Sequence, residues 1–113
     1  MNENSTINEM LISILSDFQV PVRYGWYEGE KQTNITFFEY LMQGADYQDD
    51  EMVSCTHNIQ IDIWSYSNIE QLKNQVIKAL LKNNFLLIDC KDLFEEDIKL
   101  YHKAIRVRIN KVF

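Results

Sequence analysis

The stretch His57-Asn58-Ile59-Gln60-Ile61-Asp62-Ile63-Trp64-Ser65, followed at once by Tyr66-Ser67-Asn68-Ile69-Glu70, constrains this chain more than any other. His57, Ile59, Ile61 and Ile63 alternate with Asn58, Gln60, Asp62 and Trp64, the period-2 pattern of a strand with one face on a core. Ser67 and Glu70 have the spacing of a capping box, in which the serine oxygen accepts from a first-turn amide and the glutamate reaches back. Ile69, Leu72, Val76, Ala79 and Leu80 then recur at helical spacing, so a helix over 68–82 has one apolar stripe to lay on the isoleucine face. No catalytic chemistry sits in this unit. Function has to be sought elsewhere in the chain.

With 113 residues, 46% of them apolar, the chain suits one domain around one core. Eleven Lys and Arg stand against 17 Asp and Glu, giving a net charge of −6. Such an acidic chain is a poor binder of nucleic acid, whose affinity comes from neutralising phosphates, so no direct nucleic-acid partner is expected. The two cysteines, Cys55 and Cys90, lie in strand-like runs without metal-ligand spacing and read as buried, reduced thiols. No apolar run approaches the roughly 20 residues that span a bilayer. Met1-Asn2-Glu3-Asn4 also lacks the basic start and apolar block of a secretory signal, so the expectation is a soluble, intracellular chain with no membrane partner.

Thr6 and Glu9 make a second capping-box spacing, and Ile7, Met10, Leu11, Ile14, Leu15 and Phe18 follow in steps of three and four, predicting a helix over 6–18. Pro21 ends it and biases Val20 toward an extended shape. Val20, Val22, Tyr24 and Trp26 alternate as a strand over 20–26, placed near a sheet edge by the proline. Residues 33–42 are β-branched and aromatic on both faces, as in a strand covered on both sides. Gly44 and the acids Asp46, Asp49, Asp50 and Glu51 interrupt that pattern as a loop or an extended hairpin arm. The isoleucine strand extends back through Cys55 and Val53, giving 52–65, far longer than the usual five or six residues and apt to project beyond its sheet. Residues 85–91 read as a buried strand, Glu95-Glu96-Asp97 as a turn, and 100–112 as a strand with Tyr101, Lys103, Ile105, Val107, Ile109 and Phe113 on one face. This order predicts a single-domain α+β fold, a mostly antiparallel sheet with two helices packed on it.

Catalytic readings are thin. His57 lies in line with three isoleucines, where a strand-end structural role is expected over acid-base work, and His102 next to the acidic turn reads as charge balance. The rival reading is a small ligand-binding or catalytic α+β domain using His57 or His102 with nearby acids, which requires a concave pocket holding both a histidine and a carboxylate. The acids 46–51 depart from the D-x-D-x-D-G calcium loop and read as a solvated segment, so no metal site is assigned. No glycine-rich phosphate cradle occurs, and no cofactor is expected. Arg106 and Arg108 share a strand face with His102 and Asn110, and either pair across the sheet with the polar face of the long strand or dock to another subunit. Tyr47, an aromatic in a polar segment, suits an interface anchor.

Val20-Pro21-Val22-Arg23-Tyr24-Gly25-Trp26-Tyr27, Thr36-Phe37-Phe38-Glu39-Tyr40, Ile59 through Ser65, and Asp92-Leu93-Phe94-Glu95-Glu96-Asp97 running into Leu100-Tyr101-His102-Lys103, in that order, resemble the tail terminator (tail completion) proteins of long non-contractile-tailed bacteriophages and prophages of Gram-positive bacteria. The resemblance implies a non-enzymatic α+β subunit that closes into a ring, a homohexamer, on the head-proximal end of the tail tube. Such a ring stops tube polymerisation and offers a surface to the head-tail connector protein. Its implied partners are further copies of itself, the major tail-tube protein and the connector, and its place is the virion tail after assembly in the host cytoplasm. A head-tail joining (neck) role belongs to the same fold family. A ring needs two unlike complementary patches on each subunit. Phe38 and Tyr40, the acidic segment Asp46, Tyr47, Asp49, Asp50 and Glu51, and the basic pair Arg106 and Arg108 are the candidates.

Overall fold

The computed structural model describes residues 6–112. Phe113, assigned by alternation to the last strand, lies outside them. Helix α1 (Ile7–Leu15) runs into a short 3-10 turn (Ser16–Phe18) and strand β1 (Val22–Tyr24). Strands β2 (Asn34–Gln48) and β3 (Glu51–Ser65), helix α2 (Glu70–Lys82), and strands β4 (Leu86–Glu95) and β5 (Leu100–Val112) follow. The strands form one sheet in the order β1-β2-β3-β5-β4, antiparallel except for β1, which pairs parallel to β2. The fold is thus a single α+β domain with a mostly antiparallel sheet and two helices.

The core forms between the helices and one face of the sheet. Ile59, Ile61 and Ile63 of β3 are fully buried beside Ile35 and Phe37 of β2 and Ile105 and Val107 of β5, under Leu11 and Leu15 of α1 and Val76 and Leu80 of α2. Each such aliphatic side chain stabilises the fold by about 1.5–3 kcal/mol. A charge in place of Ile61 would have no partner there and would break the core.

Thr6 caps α1 as the sequence predicts, its Oγ1 accepting from the Glu9 amide at 3.1 Å. The helix stops where Gln19 takes a left-handed conformation (φ 58°) just before Pro21. The second cap differs from its expectation. No side chain caps α2 from Ser67; the Ser67 amide instead donates to Ser65 Oγ, and Asn68 Oδ1 accepts from the Glu70 amide at 2.9 Å. The Glu70 carboxylate is engaged elsewhere, accepting from Lys103 Nζ at 2.8 Å and Lys73 Nζ at 2.5 Å. Charge-assisted bonds to two ammonium groups are stronger than the bond back to a neutral amide that a capping box requires.

Residues 85–91 also differ. Only Phe85 is buried and Cys90 half-buried, while Leu86, Leu87 and Ile88 are exposed. The tight turn at Asn83-Asn84 (Asn84 φ 72°) sends the chain from α2 straight to the outer side of β5, so β4 is an edge strand. Its unbroken apolar run has the composition of two-sided burial. Leu86 pairs with Arg108 on the helix-free face, Ile88 falls in a bulge, and among the described residues β4 packs into the core only at Cys90.

Residues 40–51 are a continuation of β2 into β3 rather than a loop. Every residue from 40 to 51 is exposed, and the two strands project as an arm that makes the molecule 54 × 25 × 23 Å. Asp49 and Asp50 form its turn, both left-handed (φ 52° and 65°), as a two-residue hairpin connection requires. Within the arm, a Cβ on Gly44 would collide with the Tyr47 hydroxyl oxygen, so the absence of a side chain lets the tyrosine lie along the strand.

Lys103, buried on β5, ties α2 to β4 by donating to Glu70 of the first and Asp92 of the second. Burial works against its charge, but the hydrogen bonds to Asp92 and Glu70 prevail and raise its pKa. The bonds from Lys103 and Lys73 hold the Glu70 carboxyl down from the usual 4.5 to about 2. A depressed folded-state pKa contributes stability that is present above about 4.5 and lost as pH falls toward about 2. Glu70→Gln is therefore expected to flatten the fall of the unfolding midpoint across that acid window while altering the pH 7 fold little in circular dichroism. An unchanged acid profile would refute this role.

Candidate assembly interfaces

The sheet face away from the helices is polar but not simply wet. Asn58 and Asp62 of β3 are buried on it by neighbours along the strands. Asp62 Oδ1 accepts from His102 Nε2 at 2.6 Å and from Gln60 Nε2 at 2.9 Å. The His102 ring stacks on Trp64 at 3.7 Å between centroids, and Trp64 stacks on Tyr27 at 4.6 Å. His102 is therefore part of a buried polar and aromatic stack rather than a counterion to the acidic turn. Strand pairing sets Arg106 opposite Gln60 and Arg108 opposite Asn58, and each Nε donates to that partner's side-chain oxygen, at 3.3 and 3.1 Å. The cross-strand contacts are hydrogen bonds to neutral amides, so both arginines keep their charge unpaired among the described residues.

His57 sits inside β3, not at its end, in a Cys55-His57-Glu39 line. Its Nδ1 donates to Glu39 Oε2 at 2.5 Å, and Cys55 Sγ lies 3.2 Å from Nε2. Glu39 and His57 line an open depression of about 360 Å³ beside the start of α1, so a histidine and a carboxylate do share a concavity. The thiol does not line it. Cys55 is 2% exposed, and burial, then the Glu39 charge, push its pKa up. Those two effects disfavour the thiolate that nucleophilic chemistry needs, so the line orients His57 and fixes the root of the arm.

Exposed apolar groups gather on the β1 side and helix-free face of the sheet and along its β4 edge. On the β1 side, Trp26 is 69% exposed and packs on Phe38 with centroids 4.7 Å apart, while exposed Tyr24 packs edge-on against Phe37. Exposed Tyr40 follows on β2, with the Arg106 guanidinium 5.0 Å over its ring. On the β4 side, Leu86 (60% exposed), Leu87 and Leu93 form a mainly aliphatic edge with Phe94 at its end, interrupted by a bulge at Ile88 and by Asp89, Lys91 and Asp92. Apolar patches of this kind on a folded domain mark contact surfaces.

The sequence candidates thus fall into three places. Phe38, Tyr40 and Arg106 come together on the aromatic side, Arg108 lies beyond at the sheet's end, and Asp46, Tyr47, Asp49, Asp50 and Glu51 form the arm tip. The β4 edge and Trp26 were missed as surface features. Their signal was an unbroken apolar run and a tryptophan next to a polar segment.

No family model and no curated protein matches the sequence. Among solved structures, a chain from the virion of a native gene transfer agent particle matches with a TM-score of 0.54 and 10% identity, covering 97% of this chain and 87% of that one. At that identity the likeness establishes a shared fold. No described helix is long and apolar enough to cross a membrane.

Native-state thiol labelling separates a buried from an activated cysteine. Cys55 is expected to react only on unfolding, and half-buried Cys90 slowly in the native state. Fast native labelling of Cys55 would reopen a nucleophilic role.

Proposed function

We propose that this chain is an assembly protein of a phage or phage-like particle, a subunit whose ring caps the tail tube, ends its polymerisation and presents a surface to the head connector. The observation that carries this reading is the pair of unlike apolar surfaces, an aromatic one of Trp26, Phe38 and Tyr40 on the β1 side and helix-free face, and a leucine edge of Leu86, Leu87 and Leu93 on β4. Unlike patches on opposite sides generate a head-to-tail contact, which propagates from copy to copy and closes when the rotation permits. A single self-complementary patch would stop at a dimer. The fold shared with a chain of a gene transfer agent virion supports the setting, and the resemblance to tail terminators supports the hexamer, the tail-tube partner and the head-proximal position. A joining role at the neck uses the same ring and differs in what meets its two faces.

Trp26→Glu and Leu93→Glu are each expected to abolish the concentration-dependent higher species seen by sedimentation. Mixing the two variants should give a dimer and nothing larger, because each retains the one edge the other lacks; no recovery on mixing would refute the head-to-tail contact. In particles lacking this protein, a terminator predicts tubes of excess and variable length, whereas a joining protein predicts tails of normal length beside unattached heads. Normal joined particles would overturn both.

A further inference from the structure

We infer that the tip of the β2–β3 arm seats in a basic corner of a second copy of this chain. The corner is a groove of about 380 Å³ where the arm leaves the body. Met10, Leu86 and Ile109 give it apolar walls, Arg108 and Lys111 give it charge, and among the described residues no carboxylate lines it. The inference rests on the self-assembly proposed above and names a second contact within it.

Charge selects the occupant. The tip carries Asp46, Asp49, Asp50 and Glu51 within six residues, and among the described residues none of them is in an ion pair; nor is Arg108 or Lys111. In a chain of net charge −6, copies repel at most relative orientations. Tip against corner is an encounter in which opposite charges meet, whereas tip against tip and corner against corner are repulsive.

Geometry makes the contact intermolecular. Ser54, opposite Asp46 in the arm, pairs on its other side with Val112, one residue beyond Lys111. The tip therefore continues past its own corner and points away from it, and folding back would break the β2–β3 ladder. The tip also carries Tyr47, 63% exposed. Hairpin arms of two strands are only marginally stable in water, and seating this one covers Tyr47 against the apolar walls of the corner. Tip and corner are unlike surfaces, so this contact repeats around a ring in the same sense as the edge contact.

The test is the sedimentation mass of the full chain across concentration, at about 0.01 M and about 1 M ionic strength, where charge acts over about 30 Å and about 3 Å. Reversing the tip with Asp49→Lys and Asp50→Lys is expected to weaken self-association about tenfold or more at low salt and much less at high salt. Lys111→Glu should do the same. Arg108 also holds Asn58, so the Lys111 change alone reports the corner without that bond. Combining the reversed tip with Arg108→Glu and Lys111→Glu should restore association. If the combined chain associates no better than the single reversals, or the reversed tip associates like the unaltered chain, the inference is overturned. It is overturned equally if tip reversal spares self-association but prevents binding to purified tail-tube ends, because the occupant is then the tube. Loss of assembly in the Trp26 and Leu93 variants with indifference to tip charge overturns the arm contact alone; an unaltered chain that stays monomeric throughout overturns both.

Discussion

Burial of Ile59, Ile61 and Ile63 beneath α1 and α2 fixes which way β3 faces, and the rest of the molecule follows from that choice. A slip of one residue would carry all three to the opposite side and put Gln60 and Asp62 in the core, so register here is all or none. β3 is the middle strand of five, and its register is handed to β2 on one side and β5 on the other. Arg106 and Arg108 reach the helix-free face because Ile105 and Val107 must take the buried one. The arm projects because β3 and β2 continue pairing after the helices that cover them have ended.

Where local pattern and burial agree, the sequence was legible. The α1 stripe of Met10, Leu11, Ile14 and Leu15 and the β3 isoleucines are buried where their periods put them. Legibility failed where a residue's partner lies far along the chain. Glu70 matched a capping spacing, yet its carboxylate is taken by Lys103, 33 residues later. Leu86, Leu87 and Ile88 had the composition of a core strand, but β4 lies at the sheet edge, where Leu86 takes the helix-free face and Ile88 falls in a bulge. Asp62 was assigned correctly to the face away from the helices; besides Gln60 on its own strand it meets His102, a contact that appears only once β3 and β5 are paired.

The candidate surfaces show the same division. Composition identified the acidic segment and offered an arm for it, and alternation the arginine pair, but neither showed that Phe38, Tyr40 and Arg106 form one patch with Trp26. Nor did either bring Cys55, His57 and Glu39 into line, since Glu39 meets His57 only through the β2–β3 pairing and the register shift after Glu39.

The two-residue turn at Asp49-Asp50 limits how the length of the arm can vary. Strands joined this tightly lengthen only by adding residues to both sides at once, and inward and outward positions are preserved only when the addition to each strand is even. The reach of the tip therefore changes in steps of about 7 Å, two residues of rise. Intermediate lengths require a register shift of the kind already present between Gly44 and Asp46. The spacing between neighbouring molecules that such an arm spans is quantised by the pleat of its own strands.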